Sequence, residues 1–412
     1  MRQWMVAAKK ADFYAIAEKF HVDPVVARII RNREVIGEKN IRIYLGGNLS
    51  DLSDPHQMKD MDRLVEILAQ KIRKQAHIRI IGDYDVDGVT SSHLFLTALR
   101  RVGAKVDVVI PHRIQDGYGL SLHLLQQAKE DGVDTILTCD NGIAAIDEIA
   151  WAKAQKMTVL VTDHHAVPFE EHEGRRTEKK SLADAVVNPH QQDCGYPYKE
   201  LCGAGVAWNV IRVLYENYDM DKREAEDLLD FVAMATVCDV MSLTGENRIL
   251  VKEGLKRIRH TKNIGLQALM QACNVQPENI SAYHFGYVLG PCVNATGRLD
   301  TARHALRLFE TGQETEAEEI ARDLVDLNQE RKELTLQGVE MAKKLCEEGG
   351  YENDPVLVLF LPDVHESIAG LIAGRIREMY NRPVFVLTRG EEGVKGSGRS
   401  TENYLSLIHI SE

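Results

Sequence analysis

The chain has 412 residues, a formal net charge of −12 and 44% hydrophobic residues. This length is enough for two or three domains, and no run approaches the roughly 18 consecutive apolar residues of a membrane helix. Residues 1–20 predict an amphipathic helix that lacks the features of a signal peptide. The acidic balance weighs against a protein that coats nucleic acid, although a local basic groove is compatible with it. We expect a cytoplasmic monomer without a membrane partner.

The seven cysteines are odd in number and form no C-x-x-C pair. This spacing argues against a disulfide framework and against a structural zinc site. We therefore interpret the cysteines as reduced, mostly buried, small apolar residues.

The order of the predicted elements indicates an α/β fold. Residues 1–75 have a helical pattern with basic clusters. Short β-branched runs then alternate with helical stretches, which predicts βαβ crossovers and a mostly parallel sheet. The predicted strands cover 78–81, 105–111, 133–139, 157–162 and 183–189.

A mainly helical region follows over 205–275, and 313–348 predicts a long, exposed, charged helix. A second, smaller α/β pattern comprises a strand at 356–362, a helix at 366–380 and a strand at 383–388. The simplest interpretation of the glycine-rich stretch 395–400 is a flexible turn. We expect a parallel-sheet domain that is joined by the long helix to a smaller α/β domain.

Acidic and imidazole side chains follow three of the predicted strands. In a parallel sheet, loops at the carboxyl ends of the strands converge on one crevice. An acid after the apolar stretch that ends at residue 238 can complete the same cluster. These side chains are Asp83, Asp85, Asp87, Asp140, Asp163, His164, His165 and Asp239.

Each motif alone has a simpler interpretation, but together they indicate a metal site. A single aspartate after a strand usually caps the next helix, and a calcium loop requires a glutamate where this chain has Leu94. Clustered carboxylates repel one another unless a cation neutralises them. Mixed Asp and His ligation favours Mn²⁺ or Mg²⁺, and there are enough ligands for two ions, an arrangement that hydrolyses phosphate esters.

The same motifs resemble a known family. DYDVDG (83–88), CDNG (139–142), DHH (163–165) and the aspartate of ATVCDVM (235–241) are similar to the DHH phosphoesterase superfamily. Within it, further segments resemble the RecJ family of single-strand-specific 5′→3′ DNA exonucleases over most of residues 40–400. These segments are PHRIQDGYGL (111–120), VVNPHQ (186–191), YKELCGAGVAW (198–208), GPCVNATGRLD (290–300) and KGSGRS (395–400).

The resemblance implies site residues and cofactors. Two divalent cations, Mn²⁺ or Mg²⁺, would be held by Asp85, Asp87, Asp140, His164 and Asp239, with help from Asp83. His165 would face the scissile phosphate, on the opposite side of an extended segment from His164, and Asp163 would orient one imidazole. Catalysis would therefore rest on Asp85, Asp87, Asp140, His164, His165 and Asp239. Substrate phosphates would meet Arg113, His165, Arg298, His365, Ser397 and Arg399, although His365 is equally compatible with a helix cap.

The resemblance also implies domains and partners. We expect an N-terminal helical region (1–75), a DHH catalytic domain (76–300), a connecting helix (301–350) and part of a DHHA1-type substrate-binding domain (351–412). The family's oligonucleotide-binding barrel is expected to be absent, and TENYLSLIHISE (401–412) is expected to be non-native. The expected substrate is single-stranded DNA in repair and recombination, with a single-strand-binding protein and a helicase as partners.

Two other function classes are compatible with parts of the pattern. One is a DHH enzyme acting on short oligoribonucleotides, cyclic dinucleotides or pyrophosphate, but such chains do not usually carry the DGYG and NATGRLD segments. The other is a non-catalytic DHH scaffold, which would be expected to have lost metal ligands that this sequence retains.

Overall fold

The chain begins with short helices that have aspartate caps. The computed structural model describes residues 9–113, 116–172, 175–351, 354–390, 393–401 and 404. The Asp12 and Asp23 carboxylates accept backbone N–H groups at the starts of α1 (Phe13–Phe20) and α2 (Pro24–Asn32). A helix was predicted over 1–20. Of its described residues, 9–20, only those of α1 are helical. Next come α3 (Glu38–Gly46) and α4 (Met61–Arg73).

A five-stranded parallel sheet forms the centre of the fold, as predicted. Its strands lie in the order β2-β1-β3-β4-β7, and every adjacent pair is parallel. The strands are β1 (Ile78–Ile81), β2 (Val106–Val109), β3 (Thr135–Cys139), β4 (Thr158–Thr162) and β7 (Ala185–Val187). Three crossover helices link the first four: α5 (Val86–Arg101), α6 (Leu122–Glu130) and α7 (Ile146–Ala154).

Helices cover both faces of this sheet because its strands are apolar on both sides. Successive residues of a strand point to opposite faces. Ile80 and Leu137 therefore pack in the larger core with α4 and α5, while Ile81 and Ile136 pack in a second core with α6 and α7. This layering places the carboxyl ends of β1, β3 and β4 side by side at one edge of the sheet.

A hairpin between β4 and β7 was not predicted. Its strands, β5 (Phe169–His172) and β6 (Arg175–Glu178), are antiparallel and form a separate two-stranded sheet. The following region is helical, as predicted. It contains α8 (Gly203–Asn217), α9 (Lys222–Glu226), α10 (Leu229–Cys238), α11 (Gly245–Arg257), α12 (Ile264–Ala272), α13 (Ala282–His284), a π-helical turn (Phe285–Leu289), α14 (Gly290–Leu299) and α15 (Arg303–Glu310).

The long predicted helix is α16 (Glu314–Gly349), which leads to a small α/β unit with its own core. In this unit α17 (Glu366–Tyr380) packs on a sheet of β8 (Leu357–Phe360), β9 (Val384–Gly390) and β10 (Gly393–Arg399). The simplest interpretation of the stretch 395–400 taken alone, a flexible turn, is wrong, because most of this stretch pairs with β9 as the antiparallel strand β10. Of the tail 401–412, only 401 and 404 belong to the described residues.

Among the described residues, every helix is too short or too polar to cross a bilayer.

Candidate metal centre

Three aspartates occupy the turn that joins β1 to α5. Asp85 is the N-cap of α5, and its Oδ1 accepts the backbone N–H of Gly88 at 3.0 Å. Asp83 and Asp87, on either side of it, are almost completely buried. The turn requires glycine at position 88, because a Cβ there would lie 2.4 Å from the carbonyl oxygen of Asp83. The local sequence therefore aims three carboxylates at the end of the sheet.

Asp140 lies at the end of β3 in a left-handed backbone conformation, with φ of +61°. Aspartate and asparagine adopt this conformation more readily than other non-glycine residues. The side chain of Asn141 holds the turn, because its Nδ2 donates to the carbonyl oxygens of the last residues of β1 (3.1 Å) and β3 (2.9 Å). One carboxylate oxygen each of Asp83, Asp85 and Asp140 then lie within 4.8 Å of one another.

The two histidines after β4 lie side by side, and the prediction that they face opposite sides was wrong. The strand has already ended at this point, and Asp163 turns the chain by accepting the backbone N–H groups of His164 (2.7 Å) and His165 (3.0 Å). The two ring centroids are 4.4 Å apart. The rings nevertheless have different neighbours.

The ring of His164 points into the carboxylates. Its Nε2 lies 3.1 Å from Asp140 Oδ1 and 3.6 Å from both Asp87 Oδ2 and Asp239 Oδ2. Asp239 is the residue that ends α10, so a helix from outside the sheet supplies the last carboxylate. Burial lowers the pKa of His164, which favours the neutral imidazole that binds metals.

The carboxylates crowd one another in a buried site, and the positive charges nearby do not offset this crowding. Burial, followed by the charge of neighbouring aspartates, raises the pKa of Asp83 to about 7 and that of Asp239 to about 8. The same causes raise the pKa values of Asp85 and Asp140. Such an arrangement is unfavourable for ionised carboxylates unless cations are bound among them.

Unpaired buried atoms show that this donor set fits divalent cations. Asp83 Oδ1, Asp140 Oδ1 and His164 Nε2 are buried and make no hydrogen bond, although the last two lie 3.1 Å from each other. Buried polar atoms are normally paired, so these three are available as ligands. Two further groups of potential ligands meet within 4.8 Å: one comprises Asp87, His164 and Asp239, and the other Asp140, His164 and His165. Oxygen-rich sites of this kind suit Mg²⁺ and Mn²⁺.

Asp163 orients His165 rather than His164. Its Oδ1 lies 2.8 Å from His165 Nδ1, and this hydrogen bond raises the pKa of His165 to about 8. The His165 side chain is 45% exposed. The hydroxyl of Tyr118 lies 3.1 Å from His165 Nε2 and donates to the Asp140 carbonyl oxygen at 3.2 Å. Tyr118 belongs to the DGYG segment, but sequence reasoning gave it no role.

Sequence reasoning also missed the contribution of α8. The backbone N–H groups of Gly203 and Ala204 donate to the two carboxylate oxygens of Asp87 at 2.6 and 2.8 Å. The N-terminus of α8 thus fixes the Asp87 carboxylate in one orientation. A Cβ on Gly203 would lie 2.6 Å from Asp140 Cβ. The glycine-rich start of α8 therefore packs directly against the acidic cluster.

Three arginines form a second feature, which we call the arginine cluster: Arg113, Arg298 and Arg399. Burial, and then the charges of Arg113 and other arginines including Arg399, lowers the pKa of Arg298 to about 10. Arg298 Nη1 donates to the Ser367 carbonyl oxygen at 2.8 Å, and Arg113 lies 4.8 Å above the ring of Tyr84. In the described part of the chain, none of the three forms an ion pair with a carboxylate.

The second α/β unit contributes to this cluster. Arg399 Nη1 donates to Ser397 Oγ at 3.0 Å, and both side chains lie against Gly370 of α17, where an added Cβ would be 2.8 Å or less from them. His365 is the N-cap of α17, with its Nδ1 2.7 Å from Ser367 Oγ. A capping role for His365 is therefore seen, and its contact with substrate stays a prediction.

The chain is similar to known proteins in sequence and in fold. The DHH family, N-terminal domain, matches residues 77–236. The single-stranded-DNA-specific exonuclease RecJ of Haemophilus influenzae is 36% identical over 393 residues. The crystal structure of exonuclease RecJ bound to manganese is 32% identical, with a TM-score of 0.73, and the match covers 86% of this chain and 85% of that one. The chain belongs to the RecJ family.

Other RecJ relatives extend the comparison. RecJ of Thermus thermophilus in complex with Mn²⁺ has a TM-score of 0.77 at 29% identity, and the match covers 94% of this chain and 53% of that one. The same protein in complex with Mg²⁺ has a TM-score of 0.73 at 27% identity, with 97% and 52% covered. The match to the H. influenzae RecJ covers 92% of this chain but only 66% of that relative.

Proposed function

We propose that the chain is a metal-dependent exonuclease that degrades single-stranded DNA from its 5′ end to 5′-mononucleotides, in DNA repair and recombination. The observation that carries the proposal is the convergence of five aspartates and a histidine, with unpaired buried ligand atoms, at the ends of β1, β3 and β4. The exonuclease activity named for the RecJ relatives agrees with it. The aspartates are Asp83, Asp85, Asp87, Asp140 and Asp239.

The proposed cofactors are two divalent cations, Mn²⁺ or Mg²⁺. When bound, they supply the positive charge that the cluster lacks and Lewis acidity toward the scissile phosphate. The chain's own contribution is to hold the ligands in place: the α8 N-terminus fixes Asp87, and the Asn141 turn fixes Asp140. His164 would provide the nitrogen ligand.

His165 is proposed to contact the scissile phosphate. The ring is half-exposed, with Nδ1 bonded to Asp163 and Nε2 beside the Tyr118 hydroxyl, so a phosphate oxygen would take the place of that hydroxyl as the partner of Nε2. Asp163 fixes the ring from the other side, so His165 keeps one orientation while the charge on the phosphate develops.

The arginine cluster, with Ser397, is proposed to bind the phosphate at the 5′ end. Guanidinium groups bind phosphate bidentately, and a cluster that has no carboxylate partner among the described residues is available to an anion. We further propose the domain division given above: an N-terminal helical region 1–75, a catalytic domain 76–300, a connecting helix 301–350 and a substrate-binding unit from 351. A cytoplasmic monomer that works with a single-strand-binding protein and a helicase is part of the same proposal.

One assay tests the proposal. The protein is incubated with Mn²⁺ and single-stranded DNA that has a free 5′ phosphate and different fluorophores on the bases of its first and last nucleotides, and in parallel with blunt duplex DNA and short RNA. We expect labelled 5′-mononucleotides as the first products, slower attack on duplex DNA and RNA, and complete loss of activity in EDTA that Mn²⁺ restores.

Other outcomes would contradict the proposal. First release of the 3′ label, or internal cuts, would exclude the 5′→3′ direction. Preferential cleavage of short RNA would favour the oligoribonuclease class, and the absence of cleavage with Mn²⁺ or Mg²⁺ on all substrates would favour a non-catalytic scaffold.

A further inference from the structure

Two tyrosines stand out on the surface of the helical region. Tyr283 is 62% exposed and Tyr287 is 73% exposed. Their rings are stacked on each other, with centroids 5.2 Å apart and planes 23° apart. We call them the tyrosine pair. None of the roles derived above uses this pair.

An uncommon backbone turn presents the tyrosine pair. Tyr283 lies in α13 and Tyr287 in the π-helical turn that follows, while Phe285 and Leu289 of the same turn are completely buried. π-Helical turns are rare and frequently occur at functional sites. His284 is anchored as well, because its Nδ1 accepts the backbone N–H of Ser281 at 3.1 Å. The rings are thus held on an ordered support, which reduces the entropy lost when a ligand binds.

The same turn lies against the end of α10, where the last metal-binding carboxylate is located. A Cβ on Gly290 would be 2.4 Å from Cys238 Sγ, and the Cys238 thiol donates to the Phe285 carbonyl oxygen at 3.3 Å. Asp239 is the next residue. The turn that carries the tyrosine pair is therefore packed directly against the residue before Asp239.

Helix α14 connects the tyrosine pair to the arginine cluster. It starts directly after the π-helical turn and carries Arg298 near its end, so the eleven residue steps from Tyr287 to Arg298 span about 16 Å at the helical rise. Along its length α14 touches the acidic turn: Asn294 Oδ1 accepts the N–H of Val86 at 3.1 Å, and Gly297 packs against Tyr84. The arginines and the tyrosines thus lie at opposite ends of a helix that borders the metal centre.

We propose that Tyr283 and Tyr287 form a stacking platform for bases of the single strand, a few nucleotides on the 3′ side of the scissile phosphate. This inference rests on the proposed function, which places the 5′ phosphate at the arginine cluster. An exposed aromatic face binds every base, since each base has a π-face, and the contact is sequence-tolerant. The 5′ phosphate of the DNA would then bind at the arginine end of α14, and bases a few nucleotides downstream would bind at its tyrosine end.

Steady-state kinetics with 5′-phosphorylated oligothymidylate test the platform. Tyr287→Ala and Tyr283→Ala are expected to raise KM by about five- to a hundredfold, the range that loss of one stacked base produces, with kcat unchanged. Tyr287→Phe retains the ring and should restore the KM of the unmodified protein. Tyr14→Ala is the matched control, because Tyr14 is 77% exposed on α1 and lies outside the site. A 5′-phosphorylated dinucleotide is too short to reach the platform, so all variants should cleave it equally.

Fluorescence provides a readout that does not require turnover. Oligonucleotides with a single 2-aminopurine at successive positions from the 5′ end are bound in EDTA. We expect quenching at an internal position in the unmodified protein and in Tyr14→Ala, and loss of that quenching in Tyr287→Ala.

The possible failures can be told apart. If the unmodified protein cleaves no single-stranded DNA, the proposed function fails, while the fluorescence still tests stacking. If it cleaves DNA but the KM and the quenching of both tyrosine variants match those of Tyr14→Ala, the platform is excluded. If the tyrosine variants keep the KM of the unmodified protein but differ from it in molar mass by light scattering, the platform is excluded and the pair is instead a contact between copies of the chain.

Discussion

Asp140→Asn is expected to lower kcat by about 10³-fold or more while the protein stays folded. The loss should exceed the roughly 10- to 100-fold that follows when a residue that only supports a metal ligand is removed. Asparagine is the informative substitution, because it tolerates the left-handed backbone at position 140 as well as aspartate does. The change therefore removes the charge and leaves the turn intact.

Two further measurements on Asp140→Asn separate a metal ligand from a structural residue. The melting temperature in EDTA should be unchanged or higher, because one of several mutually repelling carboxylates is gone. The rise in melting temperature on adding Mn²⁺ should shrink, because the ions that stabilise the folded state bind less tightly. Asp193→Asn, which alters a surface ion pair with Lys59, should leave both quantities unchanged. Equal losses of cleavage and of DNA affinity would argue against the ligand role of Asp140.

Gly203→Ala is expected to reduce activity by about 10²-fold, although residue 203 bears no functional group. The added methyl group would lie 2.6 Å from Asp140 Cβ, so α8 and the Asp140 turn must move apart. The close-packed core resists such a movement, and the N–H groups that hold Asp87 would move with the helix. Misplacement of a reacting group by about 1 Å is enough for a loss of this size. Activity, and Mn²⁺ affinity by calorimetry, should fall together.

Gly205→Ala is the matched control for this effect. It lies two residues further along the same helix, and the three atoms nearest to a Cβ there would be side-chain atoms of Leu201, at 3.3 Å or more. Alanine is a better helix former than glycine by about 1 kcal/mol, so the stability of this variant should not fall and its activity should be retained. If Gly203→Ala behaves like Gly205→Ala, close packing against Asp140 is not needed for function.

The main fold could be predicted because the burial of apolar side chains leaves a periodic pattern in the sequence. β-Branched runs that are separated by helical stretches are compatible with few folds other than a parallel sheet covered by helices on both faces. The rule that ligands gather at the carboxyl ends of strands then brought Asp83, Asp85, Asp87, Asp140 and His164 together. The structure places all five of them in the groups of potential ligand atoms.

Other features depend on contacts that leave no local signal. The hairpin β5–β6 carries charged residues at successive positions, so it has no apolar alternation. In β10 the glycines at 396 and 398 lack side chains, and the strand exists because β9 pairs with it. The bonds from the α8 N-terminus to Asp87 join residues 116 and 117 positions apart. The glycine-rich start of α8 is the one sequence feature that is consistent with these hydrogen bonds.

The side-by-side position of His164 and His165 has a different cause. The prediction assumed that the extended conformation of β4 continues through both histidines. The Asp163 carboxylate instead captures both backbone N–H groups and turns the chain. Side-chain to backbone bonds of this kind compete with strand geometry directly after an aspartate.

The central claim is that the acidic cluster holds the divalent cations on which hydrolysis depends. Anomalous diffraction from crystals of the protein grown with Mn²⁺ and measured near the manganese absorption edge tests it most directly. We expect manganese peaks within coordination distance of Asp87, Asp140, His164 and Asp239, and weaker peaks in Asp140→Asn. The absence of manganese from this cluster, or its presence only elsewhere in the protein, would contradict the claim.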